Sequence, residues 1–456
     1  MPGETPREQT SMSLNTLRSK LDKLGVHPSR KLGQNFLVDD NIAAWIVQQL
    51  ELQPGENALE IGPGAGALSE PLVDQAAQTW LVEMDKRLAK LLTETFADDD
   101  TVTVLNEDAV QHDFRNLHAE QPIKIIGNLP YSCGGHIIIH YLMPPNPFTR
   151  AVFMLQKEVA ERIVAVPRTK DYGAFSLRLQ AYWRPKMLKS IGPKAFFPRP
   201  KVDSSIIMLE RRAPDELPIF DHACFDRMIR LGFSQRRKQL KKLLGTAGFD
   251  YEQAANQLGL SLTARAEELS LENWIALANL ADDHPLKDIP QKDNELFDVV
   301  DKNDAVLRQA TRKQVHAENL LHRAIHIFVF NKSGELFLQK RSHLKDAHPS
   351  AWDSSAAGHL DAGEDYYTAA VRELEEELGI MANAPEFVAK LPASEATGWE
   401  HVRLYKAKGS RNLRYPRSEI ETGAYFPLSL IQDWIERRPQ DFASGFIECF
   451  NVYHQA

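Results

Sequence analysis

Ala58-Leu59-Glu60-Ile61-Gly62-Pro63-Gly64-Ala65-Gly66 carries a short apolar run straight into three glycines spaced two apart. Glycine allows a tight turn and lets the backbone approach a ligand with no Cβ in the way. On either side of that turn the pattern is regular. Residues 58–61, 79–82, 102–105 and 123–126 are strand-like runs separated by helical stretches. Short runs at this spacing predict buried parallel strands with crossover helices, an open α/β sheet. The pattern continues from 151 to 209, its last run following the turn Pro198-Arg199-Pro200. Residues 220–281 read instead as short helices, punctuated by Gly245, Gly248 and Gly259.

Ligands of open parallel sheets bind outside the carboxyl ends of the strands. Glu83 closes the second run, where a carboxylate accepts both hydroxyls of a ribose. Asp108 follows the third, placed to take the amino group of an adenine. Singly, each is as readily an exposed loop carboxylate, and the glycine turn alone fits plain packing. Together, three features at three successive strand ends point to one crevice and to S-adenosylmethionine. The fourth run ends in Asn128-Leu129-Pro130-Tyr131. An exocyclic adenine amine is a poor nucleophile because its lone pair is delocalised into the ring. Hydrogen bonds to the Asn128 side-chain oxygen and the Leu129 carbonyl would favour a tetrahedral nitrogen. Tyr131 offers a π-face to an unstacked base. Positioning supplies most of such catalysis, so no strong general base is required.

These motifs, with Lys31-Leu32-Gly33-Gln34-Asn35-Phe36-Leu37, Phe196, Pro200-Lys201-Val202-Asp203-Ser204 and Phe233-Ser234-Gln235-Arg236-Arg237-Lys238, stand in the order of one family. Residues 14–281 resemble the small-subunit ribosomal RNA adenine dimethyltransferases. The resemblance implies a Rossmann-like class I methyltransferase domain with a small helical domain. It also implies transfer of two methyls to N6 of each of two adjacent adenosines, in a hairpin near the 3′ end of that RNA. Carried over, Asn35, Leu37, Gly62, Gly64, Glu83, Asp108 and Asn128 line the methyl-donor site, and Tyr131 with Phe196 holds the flipped adenine. The implied partners are small-subunit ribosomal RNA and the immature small subunit.

The net charge of −8 conceals a basic segment, since residues 150–242 hold 21 Lys and Arg against 9 Asp and Glu. By itself such an excess is as well a solvated face. Under the resemblance, Arg236, Arg237 and Lys238, with Lys241 and Lys242, become phosphate contacts on the helical domain. No window approaches the roughly 18 apolar residues of a membrane span. Residues 1–30 read as a polar tail without a signal peptide's apolar core. Three scattered cysteines form neither a disulfide framework nor a metal motif. The expectation is a cytoplasmic protein with no membrane partner.

A second signal stands at Gly358-x₅-Glu364-x₇-Arg372-Glu373-Leu374-x-Glu376-Glu377-x-Gly379-Ile380. Glu373, Glu376 and Glu377 fall at i, i+3 and i+4, hence on one helical face, where like charges repel. Divalent cations relieve that repulsion, and oxygen-only ligands suit Mg²⁺ or Mn²⁺. The chemistry is water attack on a diphosphate, with Glu376 and Glu377 carrying it. The spacing resembles the Nudix hydrolases over about residues 295–445, a mixed α+β domain. Residues 295–301, His322-Arg323-Ala324 and Trp352-Asp353 resemble a branch related to isopentenyl-diphosphate isomerase. That isomerase uses a cysteine near the position of Trp352, where this chain has Ser354 and Ser355. Hydrolysis of a nucleoside or other diphosphate is therefore expected. Glu419 and Glu421 are candidates for an outer ligand or base.

The expected organisation is a tail at 1–30, a methyltransferase domain at 31–212, a helical RNA-binding domain at 213–281, a linker at 282–294 and a Nudix domain at 295–456. Two other readings remain open for the first part. One is methylation of an adenine in large-subunit RNA or DNA. The other is a largely non-catalytic small-subunit assembly factor.

Overall fold

The computed structural model describes residues 14–26, 28, 34–282, 292–381, 384–409 and 413–455. The segment 31–33 of the first motif and most of the expected linker lie outside them. The chain forms two compact units, residues 1–213 with 229–273, and residues 214–228 with 274–456. The boundary between the two units falls within the expected helical segment. No helix among the described residues is long and apolar enough to cross a membrane.

In the first unit seven strands form one sheet: β1 (Asn57–Ile61), β2 (Thr79–Val82), β3 (Val102–Leu105), β4 (Ile123–Asn128), β5 (Phe148–Gln156), β6 (Trp183–Ile191) and β7 (Ser204–Arg211). Their order is β3-β2-β1-β4-β5-β7-β6. The first five are parallel, whereas β7 runs antiparallel to both β5 and β6. The order reverses between β1 and β4, which opens a crevice at their carboxyl ends. Alternation along the strands feeds two cores. On β5, Ala151, Phe153 and Leu155 face one, and Val152 and Met154 the other. Burial on both faces explains why these strands are continuous apolar runs. β3 departs from the expectation of a buried strand, because as an edge strand it stays partly exposed.

Residues 14–26, expected as part of a tail, include a helix, Leu14–Lys23. Its Leu17 and Leu21, with Val26, pack against Phe36, Ala65 and Leu88. Leu17 and Leu21 lie four apart, on one helical face, and Ala65 belongs to the glycine turn. The helix therefore braces that turn from behind.

The second unit holds a mixed seven-stranded sheet. Its central strand His322–Phe330 pairs in parallel with Glu400–Lys408 and antiparallel with Ala356–His359. The turn after Phe330 leads into Leu336–Arg341, as Asn331-Lys332-Ser333-Gly334 predicts. Helix Tyr366–Leu378 starts at Asp365, whose carboxylate accepts from the Tyr367 and Thr368 amides, and ends at Gly379 with φ of 67°. Its Ala369, Ala370, Leu374 and Leu378 pack against Ile325, Ile327 and Phe337 of the sheet. That packing turns the glutamate face toward strand Ala356–His359.

Candidate functional site

At the carboxyl ends of β1, β2 and β4 lies a cavity of about 310 Å³. Gly62, Gly64 and Gly66 all have positive φ, so the backbone curls around its mouth. A Cβ on Gly64 would stand 3.1 Å from the Phe36 ring. Glu83 accepts the Gly64 amide at 2.9 Å and the Asp85 amide at 2.8 Å. These two bonds hold the carboxylate, and Glu83 lines the cavity. Burial raises the Glu83 pKa, and the two amides oppose the rise. Glu60, at the base, is pushed up to about 8 by burial, partly offset by the Ser69 hydroxyl.

Asn35, Leu37, Gly62, Gly64, Glu83, Asp108, Asn128, Leu129 and Tyr131 all line this one cavity. Asn128 donates its side-chain amide to the Asn35 carbonyl at 2.9 Å, which leaves its oxygen as the acceptor. The Leu129 amide is used by the Met154 carbonyl at 3.0 Å. The Tyr131 and Ser204 hydroxyls are 2.5 Å apart, which sets the ring's orientation. Phe196 is buried, pairs with Leu37 in a two-stranded ladder and packs in the core, and it is not among the residues that line this cavity.

The basic motif forms the turn between helices His222–Gly232 and Leu240–Gly245, and Arg236, Arg237 and Lys238 are all exposed. Arg236 is already engaged, by Glu267 at 2.7 Å and the Thr169 carbonyl at 3.2 Å. Lys241 pairs with Glu252.

In the second unit Glu373 and Glu377 are buried, whereas the Glu376 side chain is 53% exposed. Arg372 reaches Glu364 at 2.9 Å, Glu373 at 2.7 Å and Glu376 at 3.4 Å, and donates to the His359 carbonyl at 3.1 Å. Burial raises the pKa of both Glu373 and Glu377, and Glu373 repels a charge on Glu377. A Cβ on Gly358 would fall 2.1 Å from a Glu373 oxygen, so any larger residue there requires the Glu373 side chain to shift. Glu419 is buried and its charge disfavours ionisation of Glu377, which brings it into the group, while Glu421 pairs with Lys340 at 3.4 Å. Lys345 had no sequence signal, being a lone lysine in a turn. It lies 2.5 Å from Glu419, and its charge favours the ionised forms of Glu373 and Glu377.

Residues 27–283 match the family model "Ribosomal RNA adenine dimethylase". The chain belongs to that family. A second model, the NUDIX domain, matches residues 320–442, so the dimethylase is followed by a Nudix hydrolase domain. The dimethylase part is 38% identical over 274 residues to a ribosomal RNA small subunit methyltransferase A of Streptococcus pneumoniae, covering 58% of this chain and 94% of the relative. Among solved structures, the 23S ribosomal RNA methyltransferase ErmE is similar at 28% identity and a TM-score of 0.43, covering 54% of this chain and 98% of that one. A dimethyladenosine transferase from Plasmodium falciparum is similar at 21% identity and a TM-score of 0.46, covering 53% and 95%.

Proposed function

We propose that the dimethylase part uses S-adenosylmethionine to dimethylate N6 of two adjacent adenosines, in a hairpin near the 3′ end of small-subunit ribosomal RNA. The substrate is an immature small subunit in the cytoplasm. One observation carries the reading: Glu83, Asp108 and Asn128 converge on a single cavity although they end three different strands. The cavity's donor set fits the cofactor, with a fixed carboxylate for ribose hydroxyls and a second acid for the adenine. Bound there, S-adenosylmethionine supplies an electrophilic methyl group. Asn128 accepts from the target amine through its side-chain oxygen, and the Leu129 carbonyl accepts the second N–H. Tyr131 stacks the base and Leu37 closes the wall, so the amine is held in line for attack. Arg237 and Lys238 neutralise phosphates. The small-subunit assignment rests on the name of the pneumococcal relative, and hairpin position on the family resemblance.

The test is methyl transfer from labelled donor by the full chain, offered undermethylated small subunits, large-subunit RNA and duplex DNA separately. Two adjacent N6-dimethyladenosines in the small-subunit RNA are expected. Transfer to large-subunit RNA or DNA alone overturns the reading, as does full phenotypic rescue by a methylation-dead Glu83→Ala variant.

For the second unit the reading is hydrolysis of a nucleoside or other diphosphate with Mg²⁺ or Mn²⁺ at Glu373, Glu376 and Glu377. The donor set is all oxygen, and two of its carboxylates are buried against each other, a charge that a divalent ion would offset. Such an ion neutralises phosphate charge and lowers the pKa of water. Arg372 orients Glu373 and Glu376, and Lys345 adds a positive charge beside them. A panel of diphosphates with each metal on the full chain tests this. Glu376→Gln should abolish hydrolysis and spare methylation, while equal hydrolysis by the variant sinks the assignment.

A further inference from the structure

We propose that His112 is a positioning residue for the methyl donor. It holds the turn of Glu107 and Asp108 so that the Asp108 carboxylate meets the exocyclic amine of the donor's adenine. It thereby sets the preference for adenine over a base with a carbonyl at that position. The inference rests on the S-adenosylmethionine reading of the cavity and deepens it.

Asp108 follows β3, the edge strand of its sheet, which pairs only with β2. No further strand steadies the turn from outside, and side chains do so instead. At its near end Asn106 donates its side-chain amide to the Glu83 carbonyl at 2.8 Å and the Met84 carbonyl at 3.2 Å. At its far end the Asp108 carbonyl accepts the amides of Gln111 and His112, both at 2.9 Å. His112 Nδ1 lies 2.6 Å from the Glu107 carboxylate. The chain closes around Asp108, with Glu107 and His112 as the clasp. Neither of these two lines the cavity, so both act on the donor through Asp108.

The clasp is anchored in the core. His112 is 5% exposed, and its ring stacks on Tyr141 at 6.3 Å, with Phe114 on the same tyrosine at 5.0 Å. The His112 carbonyl accepts from His140 Nε2 at 2.9 Å. Both His140 and Tyr141 belong to helix Gly134–Leu142, which starts just after the Asn128–Tyr131 corner. Burial raises the Tyr141 pKa, and the charges of Glu107 and Asp108 add to the rise, which places its hydroxyl beside the turn.

Packing alone does not call for a histidine here. His112 Nε2 is buried with no hydrogen-bond partner among the described residues, and an unpaired buried polar atom costs stability. A leucine would fill the space without that cost. What the imidazole adds is the Nδ1 donor, since a carboxylate only accepts and Nδ1 therefore carries the proton. A site built to hydrogen-bond an amine strongly rejects an analogue that lacks it, provided that the acceptor is held in place.

The experiment measures binding of S-adenosylmethionine, S-adenosylhomocysteine and S-inosylhomocysteine to the full chain by calorimetry. The parent should bind both adenine compounds and discriminate against the inosine one. His112→Leu should weaken S-adenosylhomocysteine about tenfold and narrow the discrimination about fivefold. His112→Asn, whose amide keeps a donor near Nδ1, should stay within about threefold of the parent. Glu107 is exposed, so Glu107→Ala leaves the core intact and should show the same loss as His112→Leu. In methyl transfer the loss should fall on KM for the donor, with kcat and KM for RNA close to those of the parent. A parent that binds no S-adenosylmethionine overturns the donor-site reading, and this proposal with it. A parent that binds and discriminates while His112→Leu and Glu107→Ala do so equally well overturns this proposal alone. So does His112→Asn binding as weakly as His112→Leu, which would make the histidine's role one of shape.

Discussion

Asn128 and Asn35 are 93 residues apart in sequence and joined by a 2.9 Å hydrogen bond from side-chain amide to carbonyl. The bond does two things at once. It pins the strand that carries Leu37 against the end of β4, and it turns the Asn128 oxygen toward the cavity. Asn128→Ala therefore removes both the acceptor for the adenine amine and the clamp on Asn35. Methyl transfer at saturating donor should fall on the order of 100-fold, the scale of a misplaced reacting group. Labelled-methyl incorporation measures it, and a drop of only twofold would argue against Asn128 as the acceptor.

Gly358→Ala is expected to separate the two activities. Its Cβ would meet Glu373 at 2.1 Å, backed by a buried helix, so the carboxylate has to move. Diphosphate hydrolysis should drop more than tenfold while methyl transfer by the same preparation is unchanged. A fully active hydrolase would mean that Glu373 tolerates displacement and is not a ligand.

How much of this was legible beforehand depended on the range of each interaction. The parallel strands and helix Tyr366–Leu378 are read from local periodicity, because burial of both sheet faces, or of one helix face, writes itself into adjacent residues. The glycine turn, Glu83, Asp108 and Asn128 were legible because strand ends share an edge. The burial of Phe196 was not legible, since an aromatic residue beside a proline-rich turn suits a cavity as well as the core behind it, and its pairing with Leu37 is set across the fold. The juxtaposition of His322, His359 and Glu400 was invisible, because strand register and not any short spacing joins them. The helix at 14–23 escaped for a simpler reason, a polar composition that hides Leu17 and Leu21 on one face.

RNA affinity should depend on Arg237 and Lys238 more than on Arg236. Arg236 has its charge met by Glu267, so its removal releases fewer counterions. Arg237→Glu and Lys238→Glu should each weaken binding and flatten the dependence of log K on log salt by about 1. Arg236→Ala should flatten it less. Filter binding across a salt series distinguishes them, and equal slopes for all three variants would contradict this ranking.

The last expectation concerns pH and metal. Burial raises the pKa of Glu373 and Glu377 above the unfolded value of 4.5. Both groups hold protons more tightly in the folded state, so they favour folding at acid pH and this contribution is lost as pH rises from 4.5 through the folded values. Metal-free protein should therefore lose stability at these groups on going from pH 6 to pH 8.5. Mg²⁺ binds only the ionised carboxylates and competes with their protons, so its affinity climbs over the same interval. The gain in Tm on adding Mg²⁺ should accordingly be larger at pH 8.5 than at pH 6, by a few degrees for tight binding. Glu377→Gln removes one titrating group, so the pH dependence of the Mg²⁺ effect should shrink with it. A Mg²⁺ shift that is equal at both pH values, or unchanged in Glu377→Gln, would place the ion elsewhere.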